Sequence, residues 1–152
     1  MITTVSSETK ARHAGAEDWI NYRETDVAEA VMELTGGDGV DRIVEVDFGA
    51  NQAVSLAVIK PGGVIASYAS AADMEPTLSF YPFMFKDVTL RMLIVYQISD
   101  ADQARGAAAL NAWMADGELS HAVVPGGSLA EGAAAHDLVM AGDKLGTVVL
   151  EV

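Results

Sequence analysis

Short apolar, β-branched runs alternate with helical segments along all 152 residues, and this alternation limits the possible folds more than any other feature. Ile2 to Val5, Trp19 to Tyr22, Val40 to Val46, Val64 to Tyr68, Val88 to Tyr96, Ala122 to Val124 and Thr147 to Val152 read as strands. Ser6-Ser7 offers an N-cap for a short helix ending near Gly15. Thr25 or Asp26 caps the next helix, in which Val27, Ala30, Val31 and Leu34 recur at helical spacing, and Gly36-Gly37-Asp38-Gly39 stops it. Asn51 caps a third, with a stripe of Val54, Ala57 and Val58. Ser99 or Asp100 caps a long Ala-rich helix that Gly117 ends, and Ser128 caps a last one reaching Ala141. Pro61-Gly62-Gly63, Pro125-Gly126-Gly127 and Gly142 to Gly146 read as turns, and a loop holds Pro76 and Pro82. Strands alternating with helices imply a parallel sheet covered on both faces, the doubly wound α/β class. In that class ligands bind at the carboxyl ends of the strands.

Composition removes whole classes of function. The chain has no cysteine, so disulfides, thiol catalysis and cysteine-ligated zinc are out. Its three histidines, His13, His121 and His136, are scattered without metal-ligand spacing, so no metal site is expected. A formal charge of −13 makes nucleic acid a poor partner, because phosphate backbones are gripped by clustered Lys and Arg. No apolar run approaches the roughly 18 residues of a membrane span, and Met1 to Ser7 has no secretory pattern. The expectation is a cytoplasmic, globular domain over residues 1–152 with no membrane partner.

The residues just past each strand are the candidate site. Ser6-Ser7 with Lys10 combine hydroxyls, a helix start and one cation, which suits a phosphate; equally, Ser-Ser is an N-cap and Lys10 a solvated side chain. An NAD-binding domain commonly has Asp or Glu at such a strand end for the ribose hydroxyls. Tyr22, at the next strand end, is placed to pack near a base. Asp47 to Asn51 contain Gly49, which permits close approach, and Asn51, which either caps its helix or offers an amide. Ser67, Tyr68, Ala69 and Ser70 end the following strand with small residues that suit a cofactor ring, or simply leave the sheet. Gly36-Gly37-Asp38-Gly39 follows a helix and precedes a strand, the wrong order for a phosphate loop.

In order and spacing these stretches resemble the medium-chain dehydrogenase/reductases, in the zinc-independent NADPH:quinone oxidoreductase branch. The matching pieces are Thr4-Val5-Ser6-Ser7 with Lys10, Ile20-Asn21-Tyr22-Arg23, Gly37-Asp38-Gly39-Val40-Asp41, Val44-Glu45-Val46-Asp47, Lys60-Pro61-Gly62-Gly63, Val64 to Ser70, Val88-Thr89-Leu90-Arg91, Ala135-His136 and Gly146 to Leu150. The resemblance implies a Rossmann-like, doubly wound sheet that lacks the family's first strand, its glycine-rich turn and the upstream catalytic domain. It puts the NADPH 2′-phosphate on Ser6, Lys10 and Tyr22, with Ser7 beside them among the cofactor-binding residues. It puts the nicotinamide near Asp47, Asn51, Ser67, Tyr68, Ala69, Ser70, Leu93 and Val95. Residues 146–152 would form a strand that normally meets the catalytic domain. It implies hydride transfer from NADPH to a small quinone or enone by the parent enzyme, with no catalytic residue in this chain. A homodimer through the 88–96 strand is expected, as is weak or no NADPH binding by the chain alone. With its central strand removed, the sheet must pair directly, leave a gap or borrow a strand. The alternative is a non-catalytic remnant domain used for dimerisation or partner binding.

Overall fold

A computed structural model describes residues 1–119, 121–142 and 144–152. Residue 143 of the expected 142–146 turn lies outside the described residues. The chain divides into two compact units, Met1–Ile98 and Ser99–Val152.

The first unit holds strands β1 (Ile2–Val5), β2 (Asp18–Asn21), β3 (Val40–Glu45), β4 (Ile59–Ser67) and β5 (Thr89–Met92), and helices α1 (Glu8–His13), α2 (Val27–Leu34), α3 (Phe48–Val58) and α4 (Phe80–Phe85). All strand pairs are parallel, as the alternation requires. They form two separate sheets, β1-β2 and β3-β4-β5. Direct pairing of β1 with β3 does not occur. Two apolar clusters hold the unit together. Phe48, Ile59, Ile65 and Phe83 form one, where α3 and α4 meet the second sheet. Ile20, Val31 and Val58 form the other, with Ile2, Val40 and Ile43 against it, so that α2 packs on residues from both sheets. Ile59 and Ile65 are the largest fully buried side chains. Such burial contributes about 1.5–3 kcal/mol per side chain.

The first two helix starts follow the sequence closely. Asp26 caps α2 by accepting from the Glu29 amide at 2.9 Å, and Ser7 caps α1 by accepting from the Lys10 amide at 3.4 Å. Gly39, at φ +80°, turns α2 into β3 so tightly that a Cβ would overlap the Val58 carbonyl. Four local expectations change. The strand expected over 88–96 stops at Met92 and passes into a 3-10 turn at Val95–Gln97, because β4 ends at Ser67 and offers no further partner. Pro61 to Gly63 lie inside β4 as an irregularity opposite Val40–Arg42 rather than as a separate turn. Residues 80–85, expected as loop, form α4 around the buried Phe83. The buried face of α3 runs Phe48, Ser55 and Val58, because an inward serine interrupts the apolar stripe that was expected to mark it.

The second unit holds α5 (Asp100–Ala115), β6 (Val123–Ser128), α6 (Gly132–Met140) and β7 (Thr147–Glu151). β6 and β7 pair in parallel. Pro125-Gly126-Gly127, expected as a turn, is a bulge within β6, with Gly127 at φ +84°. Ser99 caps α5. Ser128 and Glu131 form a reciprocal capping box ahead of α6.

Candidate functional site

Two groups of expected site residues sit at the carboxyl ends of strands in the first unit. At the ends of β1 and β2, the Tyr22 amide donates to the Val5 carbonyl at 3.1 Å, which brings Ser6 and Tyr22 side by side. Ser6 is half-buried; the Tyr22 side chain is exposed. Ser7 is occupied as the α1 cap. Lys10, one turn into α1, is exposed and forms no ion pair among the described residues. Glu8, which follows Ser7, is held by Arg12 at 2.5 Å. The end of β1 therefore presents the Ser6 hydroxyl and a cation that forms no ion pair among the described residues, beside a Glu8 held by Arg12.

The second group, at the ends of β3 and β4, is built differently. The Tyr68 amide donates to the Glu45 carbonyl at 3.2 Å, and the Phe48 amide to the Ala69 carbonyl at 3.0 Å. The Gly49 amide donates to Ser70 Oγ at 2.9 Å, and Ser70 Oγ in turn donates to the Asp73 carbonyl. The Asp47 carboxylate accepts from the Ala72 amide at 3.2 Å. Leu93, past the end of β5, donates its amide to the Ser67 carbonyl at 2.9 Å, so Ser67 and Leu93 are adjacent. Val95 lies one step further, exposed, at the start of the 3-10 turn. Asp47, Asn51, Ser67, Tyr68, Ala69, Ser70 and Leu93 thus belong to one polar ledge. Gly49 is required here by the chain itself: a Cβ would stand 2.6 Å from the Asp73 carbonyl and 2.8 Å from Ser70 Oγ.

Glu45 organises the ledge, and it was absent from the sequence-derived site. Its side chain is 5% exposed. Oε1 accepts from the Asp47 amide at 2.7 Å and from Asn51 Nδ2 at 2.9 Å; Oε2 accepts from Ser55 Oγ at 3.1 Å. A buried carboxylate needs such donors, since an unpaired one is costly to desolvate. Asn51 consequently spends its amide on Glu45 and does not cap α3; Asp47 occupies the N-cap position. The available signal was spacing. Glu45, Asn51 and Ser55 include an i, i+4 pair on α3 below a strand whose last residue is acidic, but which carboxylate turns inward is not written in that spacing.

Among the described residues no group of three or more His, Asp or Glu is placed to hold a metal ion. No helix among them is long and apolar enough to cross a membrane.

Comparison with known proteins agrees with this architecture. The family described as zinc-binding dehydrogenase matches residues 1–111. A 2-haloacrylate reductase from Burkholderia is 30% identical over 161 residues, which cover 99% of this chain and 47% of the reductase. The solved structure of a mycobacterial quinone oxidoreductase superposes with a TM-score of 0.86 at 28% identity, over 99% of this chain and 48% of that one. A mycobacterial protein solved in complex with NADPH superposes with a TM-score of 0.80 at 28% identity, over 99% of this chain and 49% of that one. The chain spans about half the length of these relatives. The parallel α/β fold, the ledge at the strand ends and these matches together establish that the chain belongs to the zinc-binding dehydrogenase family, within the medium-chain dehydrogenase/reductases, and corresponds to their C-terminal, Rossmann-like part.

Proposed function

We propose that this chain is the cofactor-selecting part of an NADPH-dependent oxidoreductase that reduces a small quinone or activated alkene without zinc. The observation that carries the reading is the end of β1: Ser6 and an ion-pair-free Lys10, with Glu8 neutralised by Arg12. A 2′-phosphate is a dianion near neutral pH, and it is favoured by hydroxyl donors and a cation and repelled by a free carboxylate. Support also comes from the relatives, whose names include a reductase of 2-haloacrylate and a quinone oxidoreductase, and from the relative solved with NADPH.

The residues present fit such a cofactor. Ser6 and Lys10 would hold the 2′-phosphate, and the exposed ring of Tyr22 would lie against the adenine. Ser7 would contribute less, because its oxygen already caps α1. The ledge of Asp47, Asn51, Ser67, Tyr68, Ala69 and Ser70, with Leu93 and Val95 beyond, would floor the nicotinamide. Because Asp47, Asn51 and Ser70 already bond within the chain, this floor would act chiefly through backbone shape. Bound NADPH would supply the hydride, and no residue of this chain is assigned a proton-transfer role. The expected assembly is a homodimer through the outer edge of β5, and sedimentation at micromolar concentration checks it: a monomer there removes that part of the proposal.

The test compares adenosine 2′,5′-bisphosphate with AMP in amide-resolved NMR titrations of the chain. Shifts at Ser6, Lys10 and Tyr22 should be larger, and affinity several-fold higher, with the 2′-phosphate. Equal responses to the two ligands reject the assignment. NADPH oxidation with a benzoquinone by the chain alone should be undetectable. A second reading, a non-catalytic binding domain, draws on the edges of β1 and β3 that pair with no strand among the described residues. It is favoured if neither nucleotide produces shifts.

A further inference from the structure

We infer that Arg23 is a second phosphate-binding cation at the ends of β1 and β2 and, with Lys10, sets the preference for a 2′-phosphorylated adenosine ligand. This role rests on the nucleotide reading proposed above, and it adds a residue outside the sequence-derived site.

The first observation is how the cations are spent. The chain has 9 Lys and Arg against 22 Asp and Glu. With acids in that excess, a cation without a partner stands out. Arg12, Lys60 and Arg105 pair with Glu8, Asp41 and Asp102. Lys86 and Lys144 donate to backbone carbonyls. Lys10, Arg23, Arg42 and Arg91 are exposed and form neither an ion pair nor a side-chain hydrogen bond among the described residues. Arg42 and Arg91 lie within β3 and β5. Lys10 and Arg23 instead follow the carboxyl ends of β1 and β2, the end at which ligands bind in folds of this class.

The second observation is the turn that carries Arg23. β1 and β2 run in register to Val5 and Asn21, and the Tyr22 amide donates to the Val5 carbonyl just beyond. Arg23 comes next, on a fixed backbone. Its amide donates to Asn21 Oδ1 at 3.1 Å, and the amides of Glu24 and Thr25 donate to the Asn21 carbonyl at 3.1 and 3.0 Å. The adjacent acid, Glu24, forms no ion pair with Arg23. A held turn thus carries an uncommitted guanidinium one residue past Tyr22, which itself lies beside Ser6.

The ligand requires more than one lysine. A phosphate monoester carries about −1.5 to −2 charge near neutral pH. The chain carries −13, so its overall field repels such a group. A single exposed ammonium leaves part of the phosphate charge unmatched. A guanidinium adds the missing charge and a planar fork of donors that meets two phosphate oxygens at once. Lys10 supplies a point charge and Arg23 supplies geometry, so the two are not interchangeable.

The experiment titrates the 152-residue chain and three variants, Arg23→Gln, Arg23→Lys and Arg42→Gln, with adenosine 2′,5′-bisphosphate and with AMP, following amide shifts. Unmoved Ile20 and Val31 amides in the free variants check that the first unit stays folded. Arg23→Gln should bind the bisphosphate about tenfold more weakly and AMP within about twofold of the parent chain. Arg23→Lys should recover only part of that loss, because it returns the charge without the fork. Arg42→Gln removes the same charge elsewhere and should leave both affinities within about twofold. Equal effects of Arg23→Gln and Arg42→Gln reduce Arg23 to its share of the net charge and overturn the assignment. A bisphosphate preference that survives Arg23→Gln but falls with Lys10→Ala also overturns it, and leaves the nucleotide reading standing. Equal affinity of the parent chain for the two ligands, or no shifts with either, overturns that reading and this role with it.

Discussion

The two groups of strand ends have the same topology and opposite chemistry. At β1 and β2, the polar side chains of Lys10 and Tyr22 are exposed, and Lys10 has no ionic partner among the described residues. At β3 and β4, Glu45, Asp47, Asn51, Ser55 and Ser70 are committed to one another and to backbone. The first group has free bonding capacity for a ligand; the second has used its capacity to fix a backbone shape. Substitutions in the first should alter binding and leave stability alone, and substitutions in the second should do the reverse.

The strongest challenge to this contrast is Glu45→Ala. It strands the Asp47 amide, Asn51 Nδ2 and Ser55 Oγ without their acceptor. The expected cost is about 3 kcal/mol of stability, from buried donors left unmade. Urea unfolding followed through Trp19, in a Trp113→Phe background, measures it in the first unit. An unchanged midpoint would mean that the ledge does not depend on its carboxylate. Glu45→Gln should fall between, since one oxygen remains to accept.

Next in size is Lys86→Met. Lys86 Nζ donates to the carbonyls of Leu56, Ala57 and Ile59, the last at 2.9 Å, and so satisfies the carboxyl end of α3. Its loss should cost about 1–2 kcal/mol in the same unfolding measurement. Together with Glu45→Ala, this asks whether α3 is held at both ends.

Lys10→Ala carries the opposite expectation. Stability should shift by less than about 0.5 kcal/mol, as for other exposed positions without a structural role. The preference for adenosine 2′,5′-bisphosphate over AMP should fall several-fold. A large loss of stability would erase the distinction between the two regions.

The smallest effect lies in the second unit. Glu131 accepts from the Ser128 amide and hydroxyl, which hold its carboxyl below the ordinary carboxylate value. A carboxyl depressed in the folded chain stabilises it above the unfolded-state value, and that contribution disappears as pH falls through the lower, folded value. Acidification below the usual carboxylate range should therefore loosen the start of α6 slightly, read as faster amide exchange near Ser128. Glu131→Gln should remove the pH dependence. This group extends the comparison to a carboxylate that is bonded but exposed.

Apart from α4, strand and helix order were legible in the sequence because they depend on period. A two-residue repeat and a 3.6-residue repeat cannot share one apolar pattern, and Ser7, Asp26, Ser99 and Ser128 marked helix starts through local hydrogen bonds. The parallel α/β class followed. Asp47, Asn51 and Ser67 to Ser70 were picked out as residues leaving their strands, without Glu45, and the roles of Asn51 and Gly49 were assigned to a ligand or a cap. Tertiary contact gave them instead to Glu45 and to the 70–73 segment.

What the sequence by itself determined was therefore local: where the chain extends, where it coils, and which residues leave each strand. What only the tertiary structure decided was long-range. It separated β1-β2 from β3-β4-β5, ended β5 at Met92, and turned the Glu45 carboxylate inward. The physical reason is that a strand edge or a buried charge is stable only against a particular partner. That partner lies tens of residues away for a strand, and for Glu45 it is selected by burial rather than by spacing.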